Sequence, residues 1–101
     1  MLRLTVRFES TNDSPALRDY ANKRLSKLTD YFDTDIDAKL NVKTYPDKSG
    51  KVEFNTRIDG VDYEAVAVGR DVYKLVDLID EKVTRQIHKT KTKQHRKARQ
   101  I

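Results

Sequence analysis

Asp59-Gly60-Val61-Asp62-Tyr63-Glu64-Ala65-Val66-Ala67-Val68-Gly69-Arg70-Asp71-Val72-Tyr73 is where the chain changes its period. From Val61 to Val68, Tyr63, Ala65 and Ala67 recur at every second position, the period of a strand with one face turned inward. From Val72 the period is helical. Val72, Val76, Ile79, Val83 and Ile87 make one apolar stripe, with Leu75 alongside. Gly69 interrupts the strand pattern and Asp71 is placed to cap the helix, its carboxylate accepting free amide protons of the first turn. The small alanines let that helix approach the strand closely. Asp59-Gly60 is a two-residue hairpin signal, because both residues tolerate the positive φ angles of a tight turn.

Upstream of the hairpin, Val52, Phe54, Thr56 and Ile58 alternate with Lys51, Glu53, Asn55 and Arg57, a second strand. The turn formers Tyr45-Pro46-Asp47-Lys48-Ser49-Gly50 reverse the chain before it. A third strand precedes that turn, where Ile36, Ala38, Leu40 and Val42 alternate with Asp37, Lys39, Asn41 and Lys43. At the N-terminus Leu2, Leu4, Val6 and Phe8 alternate with Arg3, Thr5, Arg7 and Glu9. Ser14-Pro15 then reads as N-cap and first helical residue. The helix it opens carries Leu17, Ala21, Leu25, Leu28 and Phe32 on one face and is expected to end near Tyr31.

The element order is therefore β-α-β-β-β-α. One apolar face per strand and one stripe per helix predict an α+β domain, a four-stranded sheet with both helices packed on one face. The first two strands, joined through a helix, are expected to run parallel and the others antiparallel. The layout is related to that of double-stranded-RNA-binding domains. Those use basic residues at the start of the last helix, where this chain has Asp71-Val72-Tyr73.

At 101 residues, 37% of them apolar, the chain is sized for one domain with one core. It holds no cysteine, so no disulfide framework or thiolate metal site is expected. The longest apolar run, Ala65 to Val68, is far too short to span a bilayer. These features predict a cytoplasmic protein with no membrane partner, no cofactor and no small-molecule substrate, monomeric in isolation. Catalysis finds no support. His88 and His95 sit among cations, and no phosphate loop or nucleophile motif occurs. Asp33-Thr34-Asp35-Ile36-Asp37 opens like a calcium loop, but its sixth position is Ala38 rather than Gly and its twelfth Thr44 rather than Glu.

Charge carries the functional reading. The net charge is +5, but residues 85–101 hold seven Lys/Arg and no acid. The remainder balances fourteen Lys/Arg against sixteen acids, or −2. A near-neutral body with a basic end is the footprint of a polyanion binder. Lys82, Arg85, Lys89, Lys93 and Arg96 recur at helical spacing. At about 100° per residue they form a stripe roughly a third of a turn from the apolar one, expected beside the first helix. There Lys23, Arg24 and Lys27 cluster within one turn. Two basic edges on neighbouring helices suit a phosphate backbone. The polar sheet face offers Lys39, Asn41, Lys43, Asn55 and Arg57 but no ring for base stacking. Residues 1–90 are expected to form the binding domain, and 91–101 a basic, frayed extension of the second helix.

Ala16-Leu17-Arg18-Asp19-Tyr20, with Lys27-Leu28 and Tyr31-Phe32-Asp33, resembles the first helix of the ribosome hibernation-promoting factors, or ribosome-associated inhibitors. Gly69, Asp71, Tyr73, Ile79, Asp80, Lys82, Arg85, Gln86 and Lys89 resemble the second. The resemblance covers nearly the whole chain. It implies a factor bound to the ribosomal RNA of the small ribosomal subunit, in the channel where messenger and transfer RNA pass, silencing translation. Matching RNA contacts are Arg24 and Lys27 on the first helix, and Lys82, Arg85, Lys89, Lys91 and Lys93 on the second. Arg18 also matches, but across the apolar stripe from Arg24. The chain departs from the family at Phe8, where glycine is usual. The run from Lys91 to Arg99 resembles the end of the N-terminal domain of the family's long form, which continues into a dimerising domain. Short form and isolated domain both stay open. The alternatives are a regulatory module binding a protein partner, of the sigma-factor modulator type, and a general double-stranded-RNA binder.

Overall fold

The computed structural model describes residues 1–9 and 13–99, and side chains as far as residue 91. Strand β1 (Leu2–Glu9) leads to helix α1 (Pro15–Leu25) and a 3-10 segment (Ser26–Tyr31). Strands β2 (Ile36–Thr44), β3 (Gly50–Ile58) and β4 (Val61–Gly69) follow, and then the long helix α2 (Val72–Arg99). The four strands lie in sequence order, β1 parallel to β2 and the rest antiparallel. The predicted fold class and strand directions hold.

Both helices cover the apolar face. Helix α2 packs over β3 and β4, and α1 packs against β1 and α2. Leu40, Phe54, Val76, Ile79, Val83 and Ile87 are fully enclosed, as are Ala21, Leu25 and Leu28 from the other helix. Thr56 is a buried polar residue in this layer, and its hydroxyl donates to the Asp37 carbonyl at 2.7 Å. That bond offsets the desolvation an unpaired hydroxyl would suffer.

The first helical run ends at Tyr31 as expected, but two local features differ from expectation. The first helix is α-helical only to Leu25, and from Ser26 it tightens into 3-10 winding. The Ser26 hydroxyl donates to the Lys23 carbonyl at 2.9 Å, and Thr29 donates to the Ser26 carbonyl at 2.7 Å. Side-chain bonds of this kind compete with the regular helical ladder. The tighter turn keeps Leu28, three residues after Leu25, in the core. The second difference is Gly69, which ends β4 as the partner of Gly50 instead of interrupting the pattern. A Cβ there would lie 3.1 Å from Leu75, so the glycine permits the close entry of α2. Asp71 caps as expected, accepting from the Tyr73 amide at 3.0 Å.

Candidate nucleic-acid interface

The inward stripe Leu17–Ala21–Leu25 fixes which way the α1 cations point. Lys23 and Lys27 are exposed, whereas Arg24 turns into the seam between the helices. Its Nε lies 3.1 Å from Asp80 and 3.4 Å from Asp77, without a well-aligned hydrogen bond, so charge attraction holds it. The Tyr20 hydroxyl donates to Asp77 at 2.5 Å and its ring meets Tyr73 edge-on at 5.2 Å. Burial in this seam raises the Asp80 carboxyl above its ordinary pKa, a tendency Arg24 opposes. The carboxylate on Tyr20 likewise raises the phenol.

The α2 cations divide in the same way. Lys82 donates to the Val66 carbonyl of β4 at 2.6 Å. One turn on, the Gln86 amide both accepts from the Glu64 amide at 3.2 Å and donates to its carbonyl at 2.5 Å. Lys82 therefore stands on the β4 side of α2, not beside α1 as the spacing suggested, because α2 sits over β3 and β4 with its far flank at the sheet edge. Lys91 faces the other way. It donates to the Tyr31 carbonyl and stands 4.8 Å over the Phe32 ring. Lys23, Lys27, Arg85 and Lys89 are exposed, and among the described residues none makes an ion pair or hydrogen bond. The side chains of Lys93 and Arg96 lie outside the described residues. Arg18 is structural in its contacts, pairing with Asp13 at 3.1 Å and lying 5.7 Å over the Phe8 ring.

Between the helices runs an open groove of about 490 Å³, lined by Lys27, Tyr31, Asp80, Glu81, Thr84, Arg85 and His88. The Tyr31 and His88 rings meet edge-on at 5.3 Å. The sequence does not place Tyr31, His88 and Glu81 at this groove, nor Gln86 on the β4 edge. Tyr31 and Gln86 meet partners far off in the chain, the His88 ring and the Glu64 backbone.

A larger concavity, about 580 Å³, lies on the open sheet face. Its charges are largely compensated. Arg3 grips Asp37 through two bonds of 2.7 and 3.1 Å, and Arg57 lies 3.8 Å from Asp62. It has no aromatic lining, so it offers no ring on which a base could stack.

Two helices over one face of a four-stranded sheet, with exposed cations on the helix side, define a basic α+β domain. The chain belongs to the family described as Sigma 54 modulation protein / S30EA ribosomal protein, whose family model matches residues 4–95. It is 37% identical to the ribosome hibernation promotion factor of Bacillus subtilis (strain 168), over 98% of this chain and 53% of that protein. The chain spans about half the length of the curated relatives it matches. Among solved structures, a ribosomal subunit interface protein from Coxiella burnetii superposes with TM-score 0.72 at 26% identity, covering 91% of this chain and 99% of that one. The Thermus thermophilus Protein Y N-terminal domain shares the fold, with TM-score 0.79 at 21% identity over 85% of this chain and 94% of its own.

Proposed function

We propose that this chain is a non-catalytic hibernation factor that silences translation by binding ribosomal RNA of the small subunit in the messenger and transfer RNA channel. The observation that carries this reading is the exposure of Lys23, Lys27, Arg85 and Lys89 on the helix side, none in a salt bridge among the described residues, continuing into an acid-free segment after Glu81. Such cations gain by displacing counterions from a phosphate backbone. The names of its relatives support the ribosome as partner and the cytoplasm as the place of action. Arg24 and Lys91 border that surface but are first held by the protein itself, and Lys82 meets the RNA from the β4 flank of α2. Lys93 and Arg96 extend the surface along the basic end, residues 91–101, and the chain acts as a monomer.

The test is pelleting with separated ribosomal subunits across a salt series. With six or more phosphates neutralised, affinity falls on the order of a thousandfold between about 50 and 200 mM salt. Ribosomes preloaded with messenger and initiator transfer RNA are expected to bind the protein more slowly. Salt-independent affinity would sink the phosphate mechanism and favour docking on a protein, the sigma-modulator role that the family description also names. Equal binding to any RNA duplex would instead leave a general double-stranded-RNA binder.

A further inference from the structure

We propose that the groove between α1 and α2 is a site for one unpaired guanine nucleotide of the bound RNA; this rests on the RNA-binding reading above. A surface built only to follow phosphates gains nothing from a carboxylate among its cations, yet Glu81 lines the same groove as Lys27 and Arg85. Glu81 is exposed and, among the described residues, has no ion-pair or hydrogen-bond partner. Asp80 differs, since it already faces Arg24 at 3.1 Å. A free carboxylate beside two free cations lets one nucleotide be recognised at both ends. Lys27 and Arg85 hold its phosphate. The two Glu81 oxygens accept from adjacent N–H donors on the base edge. Guanine is the base whose Watson–Crick edge offers two such neighbouring donors, N1–H and N2–H. Tyr31 and His88 supply rings at the same groove, the surface on which splayed bases stack. The groove's volume of about 490 Å³ also suits a nucleotide, lying within the roughly 300–1,000 Å³ of ligand pockets.

The two accounts of Glu81 predict opposite signs. On a pure phosphate track, Glu81→Gln removes a repulsive charge and tightens RNA binding a few-fold. In the nucleotide site it removes a bidentate acceptor and weakens guanine binding by about tenfold. The probes are a labelled RNA hairpin with one unpaired guanine in its loop, the same hairpin with adenine there, and guanosine 5′-monophosphate alone. Parent protein is expected to prefer the guanine hairpin about tenfold, and Glu81→Gln to lose that preference while keeping its salt dependence and its melting temperature. Equal binding of both hairpins by the parent, or tighter binding of both by Glu81→Gln, overturns the guanine site and leaves the phosphate mechanism standing. Failure of the parent to bind either hairpin or ribosomal RNA in a salt-dependent way overturns the RNA reading itself, and the site with it. If the free mononucleotide displaces the guanine hairpin at concentrations equal to the hairpin's own, the site takes a free nucleotide and its placement on RNA is wrong.

Discussion

Replacing Lys91 with alanine, beside the same change at Lys89, separates cations that hold the fold from cations that face a ligand. Each variant loses one charge, taking the net charge from +5 to +4. Only Lys91 has partners on the body, the Tyr31 carbonyl and the Phe32 ring at 4.8 Å. A cation over a ring at an exposed site is worth about 0.5–1 kcal/mol. The charged donor on a carbonyl adds about 0.5–1 kcal/mol once discounted for solvent. Lys91→Ala therefore costs about 1–2 kcal/mol. In a domain of this size each kcal/mol moves the melting temperature by about 4–8 °C, so a fall of roughly 4–16 °C is expected. Lys89→Ala should stay within about 0.5 kcal/mol of the parent, as an exposed substitution without partners. Circular dichroism melts give the first comparison. Pelleting with small subunits gives the second, where Lys89→Ala is expected to lower the salt slope by about 0.7–0.9, one phosphate's worth. Equal melting temperatures for the two variants would refute the assignment of Lys91 to the fold.

Leu28→Ala empties a fully buried site in the 3-10 segment and should cost about 2–5 kcal/mol in urea unfolding; a loss under about 1 kcal/mol would mean the segment is not packed as described. Gln86→Ala uncovers the Glu64 amide and carbonyl on the β4 edge. Unpaired edges invite strand pairing, so size-exclusion chromatography at rising concentration should show self-association that the parent lacks. For pH, burial raises the Asp80 carboxyl, so its favourable contribution is present at acid pH and lost as pH rises through that raised pKa. Two bonds from Ser49, its hydroxyl and its amide, lower Asp47, whose contribution is present above the ordinary carboxylate range and lost as pH falls. Carboxyl-detected NMR titration should show Asp47 titrating below Asp80, and the reverse order would contradict both placements.

Periodicity made the fold legible. Each strand's inward residues and each helix's stripe are short-range patterns, and every aliphatic of the α2 stripe from Val76 to Ile87 is fully buried. Hairpin and cap residues worked for the same reason, because Asp59, at φ 52°, and Asp71 act on their own backbone neighbourhood. Where local signals compete, as the Ser26 and Thr29 hydroxyls do with the α-helical ladder, the winding could not be read from apolar spacing.

The cationic surface was legible as composition but not as geometry. Sequence alone determined that the chain ends in a run of bases and that Lys23, Arg24 and Lys27 share a turn, since charge and helical spacing are properties of neighbours. Which of these cations are free was decided only by tertiary structure. Arg24 meets Asp80 across 56 residues, Lys82 meets Val66 across 16 and Lys91 meets Tyr31 across 60. Those partners are chosen by how α2 lies across the sheet, over β3 and β4 with one flank at the strand edge and the other against α1. A stripe's angle on its own helix says nothing about what stands opposite it. Packing of the second element supplies the carbonyl, the ring or the carboxylate, and so decides which positive charges remain for a partner.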